Sequence, residues 1–326
     1  MNHDDPRSAS RDRLLIAVGG NAIHPEGIRG TSEEQMHIAA ETAEHLLPLL
    51  VQDNELVITH GNGPGVGKTM MRQVLARHRV APMSLDICVA NTQGVTAYIL
   101  TQAFENALRR VGNPRHAVGL VTQVEVDSAD PAFTYPSKPV GYFYNESEAS
   151  DLVTEFGWEM KEDAGRGWRQ VVASPEPRHV CDISLIDALA RRGTIVIAGG
   201  GGGVPVVRDN LGVRRGIEGV IDKDLTSAHM AWVLGIPQLV ILTGVSGVSI
   251  NFGRDNEEKI GRIGVTALRA LQDGGHFPAG SMGPKVEAAL RFVENGGLRA
   301  IITGLEEAVP ALAGETGTHV VPDEAL

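Results

Sequence analysis

Short, uninterrupted apolar runs alternate with longer stretches of helical spacing along most of the chain. Residues 14–18, Leu-Leu-Ile-Ala-Val, end at Gly19-Gly20-Asn21, the form of a strand buried on both faces that enters a tight loop. Thr31 and Glu34 have capping-box spacing, and Ile38, Ala39, Thr42, Leu46, Leu49 and Leu50 then follow on one helical face. The βα pattern recurs. Residues 55–59 read as a strand, 60–64 as a loop, 66–76 and 92–110 as helices, and 117–126 as a strand. Residues 183–192 predict a helix capped by Asp182 and stopped by Gly193, followed by a strand over 194–198. Further on come a strand over 238–243, a helix over 284–295 with Pro284 in its first turn, and a strand over 299–303. This alternation predicts an α/β fold, a mostly parallel sheet with helices on both faces.

From residue 133 to 168 the rhythm stops. Eight of the chain's fourteen aromatics fall here: Phe133, Tyr135, Tyr142, Phe143, Tyr144, Phe156, Trp158 and Trp168. Aromatics at that density make a small core, so a protruding subdomain is predicted at about 128–170. Residues 1–13 are charged and poor in apolar side chains, which predicts a disordered tail before a single domain over 14–326.

Composition narrows the partners. With 42% hydrophobic residues in 326, the chain buries a full core. Its formal charge of −11, with no basic run longer than two, argues against nucleic acid and anionic membranes. An anionic small ligand would have to be met by a few local cations. Cys88 and Cys181 fit no metal spacing and read as buried thiols of a reducing compartment. No apolar run approaches the ~20 residues of a membrane span, and the expected location is the cytoplasm.

Those cations gather around Lys223, flanked by Asp222 and Asp224 between the apolar pair Val220-Ile221 and the helical pattern Leu225, Ala228, Met230, Ala231. One reading is a solvated turn with Asp224 capping the helix. The other is a carboxylate orienting an ammonium toward developing negative charge. The surroundings favour the second: a five-glycine run, 199–203, follows the 194–198 strand, and Lys285 stands in GSMGPK. Loops at 19–21, 61–65, 199–203 and 280–283 are all glycine-rich, as backbone N–H groups converging on a polyanion require. Familiar alternatives fail on counting. A P-loop ending at Gly67-Lys68-Thr69 would need glycine where Asn62 stands, and G-x-G-x-x-G is absent. His60 only borders a loop, and neither a zinc spacing nor a G-x-S-x-G elbow occurs.

Taken in order, AVGGNAI (17–23), HGNGPGVG (60–67), SKPVGYFY (137–144), SPEP (174–177), AGGGGGVPV (198–206), VIDKDLTSA (220–228), ILTGV (241–245) and GHFPAGSMGPKVEAA (275–289) resemble the carbamate kinase family, of the amino-acid kinase fold. The resemblance runs from about Leu14 to the C-terminus. It implies a three-layer αβα sandwich around about eight strands, a homodimer, and reversible phosphoryl transfer between ATP and carbamate giving ADP and carbamoyl phosphate. The catabolic direction would be toward ATP. Mg²⁺ would be carried mainly on nucleotide phosphates. It further implies that Lys138, Lys223 and Lys285 neutralise the phosphoryl group and that Asp224 orients Lys223. Gly19, Gly20, Asn21, Gly61, Asn62, Gly63, Gly200 and Gly201 would hold the small anion and γ-phosphate. The nucleotide would lie on Thr243, Gly244, Val245, Val248 and Met282. Two positions depart from the family pattern: glutamine is expected where Gly65 stands, and proline where Tyr142 stands. Gly65 bears on the acceptor. Kinases of this fold that act on amino-acid carboxylates would have a lysine where this chain has Ala17, and Lys138 appears instead. A non-catalytic nucleotide sensor would be expected to lack one of the three lysines, all present here.

Overall fold

The computed structural model describes residues 11–20, 23, 25, 28–162, 165, 167–277 and 282–326. In chain order the elements are β1 (Arg13–Val18), α1 (Ser32–Leu50), β2 (Glu55–His60), α2 (Gly63–Ala76), α3 (Leu85–Arg110), β3 (Ala117–Gly119), β4 (Gln123–Glu125), β5 (Lys138–Tyr144), α4 (Glu146–Phe156), β6 (Met160–Glu162), β7 (Trp168–Val172), β8 (His179–Val180) and α5 (Ile183–Arg191). There follow β9 (Ile195–Ile197), β10 (Val204–Arg208), β11 (Arg214–Gly216), α6 (Lys223–Val233), β12 (Gln238–Thr243), β13 (Val248–Ile250), β14 (Glu258–Ile260), β15 (Arg262–Gly264), α7 (Val265–Asp273), α8 (Met282–Glu294), β16 (Arg299–Gly304), α9 (Ala308–Leu312) and β17 (Thr318–Val321).

The main sheet has eight strands in the order β15-β17-β16-β12-β1-β2-β9-β3. Every pairing in it is parallel except β16 with β17. The apolar run of β1 shows why the sheet is covered twice. Leu15 and Ala17 enter one core with Met230 of α6 and Leu290 of α8, while Leu14, Ile16 and Val18 enter the other with Leu46 of α1 and Phe104 of α3. Period-two alternation thus divides a continuous apolar strand between two helical layers. The αβα sandwich follows.

The capping box forms as its spacing predicts, with Thr31 and Glu34 exchanging hydrogen bonds at the start of α1. Other boundaries move. The run 117–126 is two strands: β3 is the edge of the main sheet, whereas β4 joins a four-stranded sheet, β11-β10-β4-β8. The Gln93 side chain fixes the break, accepting from Thr122 N at 2.8 Å and donating to Thr122 O at 3.2 Å. α3 starts at Leu85, seven residues before Thr92, and α2 starts at Gly63 because its first-turn glycines and proline disguise a helix. Asp182 stands at the N-cap of α5, but its side chain makes no capping hydrogen bond.

Three strands, β5-β7-β6, form an antiparallel sheet with α4 against it. Its aromatics divide. Tyr144, Phe156, Trp158 and Trp168 gather around Ala149 and Leu152, and this small core leans on Met71 and Val74 of α2. Phe133 packs on the main core, while Tyr135, Tyr142 and Phe143 lie exposed. Where α2 meets β5 the contact is bare backbone: a Cβ on Gly67 would come within 2.8 Å of Gly141 Cα. Among the described residues no helix is long and apolar enough to cross a membrane.

Candidate active site

Parallel strands bring their carboxyl ends to one edge, and the loops that leave β1, β2, β12 and β16 gather there. Glycine lets them close in. A Cβ on Gly61 would lie 2.7 Å from Gly20 N, and one on Gly19 would lie 2.9 Å from Leu242 O. The run 199–203 supports these loops from behind. Any side chain on Gly200 would overlap the His60 ring, and any on Gly201 would overlap the Asn62 side chain. Gly199, Gly201, Gly202 and Gly203 have φ of 64°, 62°, 90° and 94°, a region that disfavours other residues. Asn62 is further fixed by donating through Nδ2 to Thr92 Oγ1 at 3.0 Å.

The charged cluster sits at the start of α6. Asp222, not Asp224, is the N-cap: its Oδ1 accepts from Asp224 N at 2.9 Å and Leu225 N at 3.3 Å. Asp224 is thereby free to turn inward. It is only 3% exposed, and its two oxygens take Lys223 Nζ at 2.5 Å and Lys285 Nζ at 3.0 Å. From β5, Lys138 reaches across to donate to Ile221 O at 3.1 Å and Asp222 Oδ2 at 3.3 Å. Ser227 braces the helix start, donating to Lys223 O and meeting Thr59 Oγ1, both at 2.7 Å.

Burial pushes the Lys223 pKa down, aided by the charge on Lys285 and opposed by Asp224. Burial also works to raise Asp224, but the two ammonium groups outweigh it and hold this carboxyl below its usual range. Desolvation lowers His60 to about 4, with Lys223 adding to the effect, so its imidazole is neutral near pH 7. The resulting cluster has more positive charge than one carboxylate neutralises.

Two cavities share Gly20, and the larger reaches the cluster through Lys285. A cleft of about 580 Å³ is lined by Gly19, Thr243, Gly244, Val245 and Lys285, with Glu306 and Glu307 at its side. A smaller cavity of about 210 Å³ lies beyond Gly61 and Asn62, along α2 and α3. The remaining candidates fall elsewhere. Val248 is fully buried in β13, Met282 packs on the main core, and Gly63 is exposed with open space around it. Gly200 and Gly201 act from behind the loops, and Asn21 lies outside the described residues. Sequence reasoning did not identify Asp222 as the cap and Lys138 partner, although an aspartate directly before a helical pattern is a standard N-cap signal. Lys68 and Arg72 line the smaller cavity; Lys68 was passed over with the failed P-loop match, and Arg72 carries no motif.

A model of the amino acid kinase family matches residues 12–304. The carbamate kinase of Pyrococcus horikoshii is 45% identical over 95% of this chain and 99% of its own length. A carbamate kinase-like protein of Escherichia coli, YahI, is 42% identical over 95% of this chain and 99% of its own. Among solved structures, carbamate kinase from Giardia lamblia bound to AMP-PNP superposes with a TM-score of 0.90 at 39% identity, covering 96% of this chain and 99% of that one.

Proposed function

This chain belongs to the amino acid kinase family, among its carbamate kinases, and on that footing we propose that ATP and carbamate meet at Gly20, where the two cavities join. The shared wall is the observation that carries this reading. Nucleotide phosphates would lie on Gly19, Gly20 and Lys285 with the adenosine side along Thr243 to Val245, in a chain similar to a kinase solved with AMP-PNP. Carbamate would lie on Gly61 and Asn62.

The chemistry needs charge and position rather than a covalent intermediate. The carbamate oxygen is already anionic, so its attack on the γ-phosphorus requires no base, consistent with a neutral His60. Lys223 and Lys285, anchored to one carboxylate, would present fixed ammonium groups to the charge spread over the transferring phosphoryl oxygens. Lys138 would add a third from the subdomain. Among the described residues no three His, Cys, Asp or Glu converge as a metal cage, and Asp224 is committed to its lysines. These residues suit a Mg²⁺ that would arrive on the nucleotide and would supply charge neutralisation there. Ala17 is fully buried in β1 and brings no cation there, which disfavours a kinase that places its lysine on that strand.

The assembly would be a homodimer in the cytoplasm. The edge strand β3 lies beside a groove of about 490 Å³, and the exposed Ile87, Val95, Tyr98 and Val121 offer a second copy an apolar surface. Sedimentation velocity would check this; a monomer at micromolar concentration would exclude it. The decisive assay is ATP formation from ADP with carbamoyl phosphate, acetyl phosphate and N-acetylglutamyl phosphate in parallel. Carbamoyl phosphate should be the best donor, and preference for either of the others would overturn the assignment.

A further inference from the structure

The acceptor-side cavity is larger and more positive than carbamate requires. Carbamate has one carbon, one nitrogen and two oxygens, whereas about 210 Å³ is open beyond Gly61 and Asn62, several times the roughly 30 Å³ share of one water. Gly65 keeps it open. Its φ is not in the left-handed region, and a Cβ there would make ordinary contact with Thr92 Cγ2 at 3.4 Å. Neither backbone nor packing demands glycine at this position inside α2, where glycine is destabilising. The missing side chain leaves room in the cavity that Thr92 and Asn62 also line.

The cavity's charge is unusual for so acidic a chain. Lys68 and Arg72 both line the cavity one helical turn apart, an i, i+4 pair of like charges that is unfavourable by itself. Among the described residues the lining contains no carboxylate. The Lys68 ammonium donates to Arg29 O at 2.5 Å, which leaves donors to spare, and burial lowers its pKa. Arg72 makes neither an ion pair nor a hydrogen bond among the described residues, although its fork matches a carboxylate. The larger cleft differs, since it includes Glu306 and Glu307.

We propose that this cavity is a subsite for the distal carboxylate of an N-substituted carbamate, the adduct of carbon dioxide with the amine of a small amino acid, gripped by Arg72 and Lys68. The inference rests on the carbamate kinase reading and extends it to a second acceptor class. The step balances without a further reactant. A carbamate oxygen bonds to the γ-phosphorus, the bond from that phosphorus to the bridging oxygen breaks, and its electron pair leaves with ADP.

The test measures ADP release from ATP in bicarbonate with ammonia, glycine or ethylamine, at matched carbamate concentrations. Glycine should exceed ethylamine in kcat/KM by about tenfold or more, the size of one charged hydrogen-bonded contact. Arg72→Gln and Gly65→Gln should each lower the ratio of glycine to ammonia by a similar factor. If Lys68 and Arg72 merely attract anions, Arg72→Gln leaves that ratio unchanged, and the subsite is refuted. Turnover with ammonia but none with glycine refutes the subsite alone. Absence of turnover with ammonia, together with no ATP from carbamoyl phosphate and ADP, refutes the subsite and its parent reading together.

Discussion

Two lysine–aspartate associations stand two residues apart at the start of α6, and they behave as opposites. Asp224 faces inward, its side chain 4% exposed, between Lys223 and Lys285, which belong to the main body. Asp222 faces outward at 21% and takes Lys138, 27% exposed, from the three-stranded sheet of the subdomain. The first is a fixed charge whose desolvation has been offset by folding. The second joins the subdomain to the main body, so any movement of β5 relative to α6 would carry its charge with it. A kinase needs both properties: preorganised cations for the transition state, and a site that admits substrate and then excludes water.

The largest effect should come from emptying the inner position. Asp224→Asn removes the buried carboxylate that two part-buried ammonium groups share, at a cost of about 3 kcal/mol, measurable by urea unfolding. A loss below about 1 kcal/mol would mean that the inner pair is as wet as the outer one. Lys223→Met retains the Asp224–Lys285 contact and should leave the protein folded while lowering kcat by about 10²–10³. Near-normal turnover would remove Lys223 from the mechanism.

His60 reports on the same interior by titration. Its folded pKa of about 4 lies below the ordinary 6.5, so the unfolded chain takes up the proton first as pH falls. Stability from this group is complete above 6.5 and is lost between 6.5 and about 4, in total about 3 kcal/mol. His60→Gln should flatten that part of the curve. An NMR titration of His60 near 6.5 would contradict a dry inner cluster. The smallest effect belongs to the outer pair. Lys138→Ala should change stability by about 1 kcal/mol or less, as partly exposed pairs do, yet lower kcat about 10²-fold with nucleotide Kd little altered. Normal turnover would make Lys138 a structural strap.

The central strands were readable in the sequence because they are buried on both faces: β12 has the bounds that its apolar run predicts, and β1 differs by one residue. The cluster was readable in part, since Lys223 and Asp224 are adjacent and Lys285 follows a glycine loop. What could not be read is the partnership of Lys138 with Asp222, separated by 84 residues and joined only when β5 folds over α6. The split of 117–126 was also hidden: β3 ends at Gly119, but the break is held by the Gln93 side chain of α3, which the sequence does not place there. A packing role of Gly200 and Gly201 was hidden for a related reason. Glycine runs announce close approach without saying whether a ligand or the protein itself approaches, and here His60 and Asn62 fill the space.

That five-glycine run has a consequence at the level of the gene. Glycine is encoded by GGN, so every substitution at the first or second base that still codes for a residue introduces a side chain, and every change at the third base is silent. At Gly199, Gly201, Gly202 and Gly203 the new Cβ meets a left-handed backbone, and at Gly200 it meets the imidazole of His60. Fifteen consecutive nucleotides therefore offer drift only at their third-base positions, and saturation mutagenesis under selection for activity should recover the segment with synonymous changes alone.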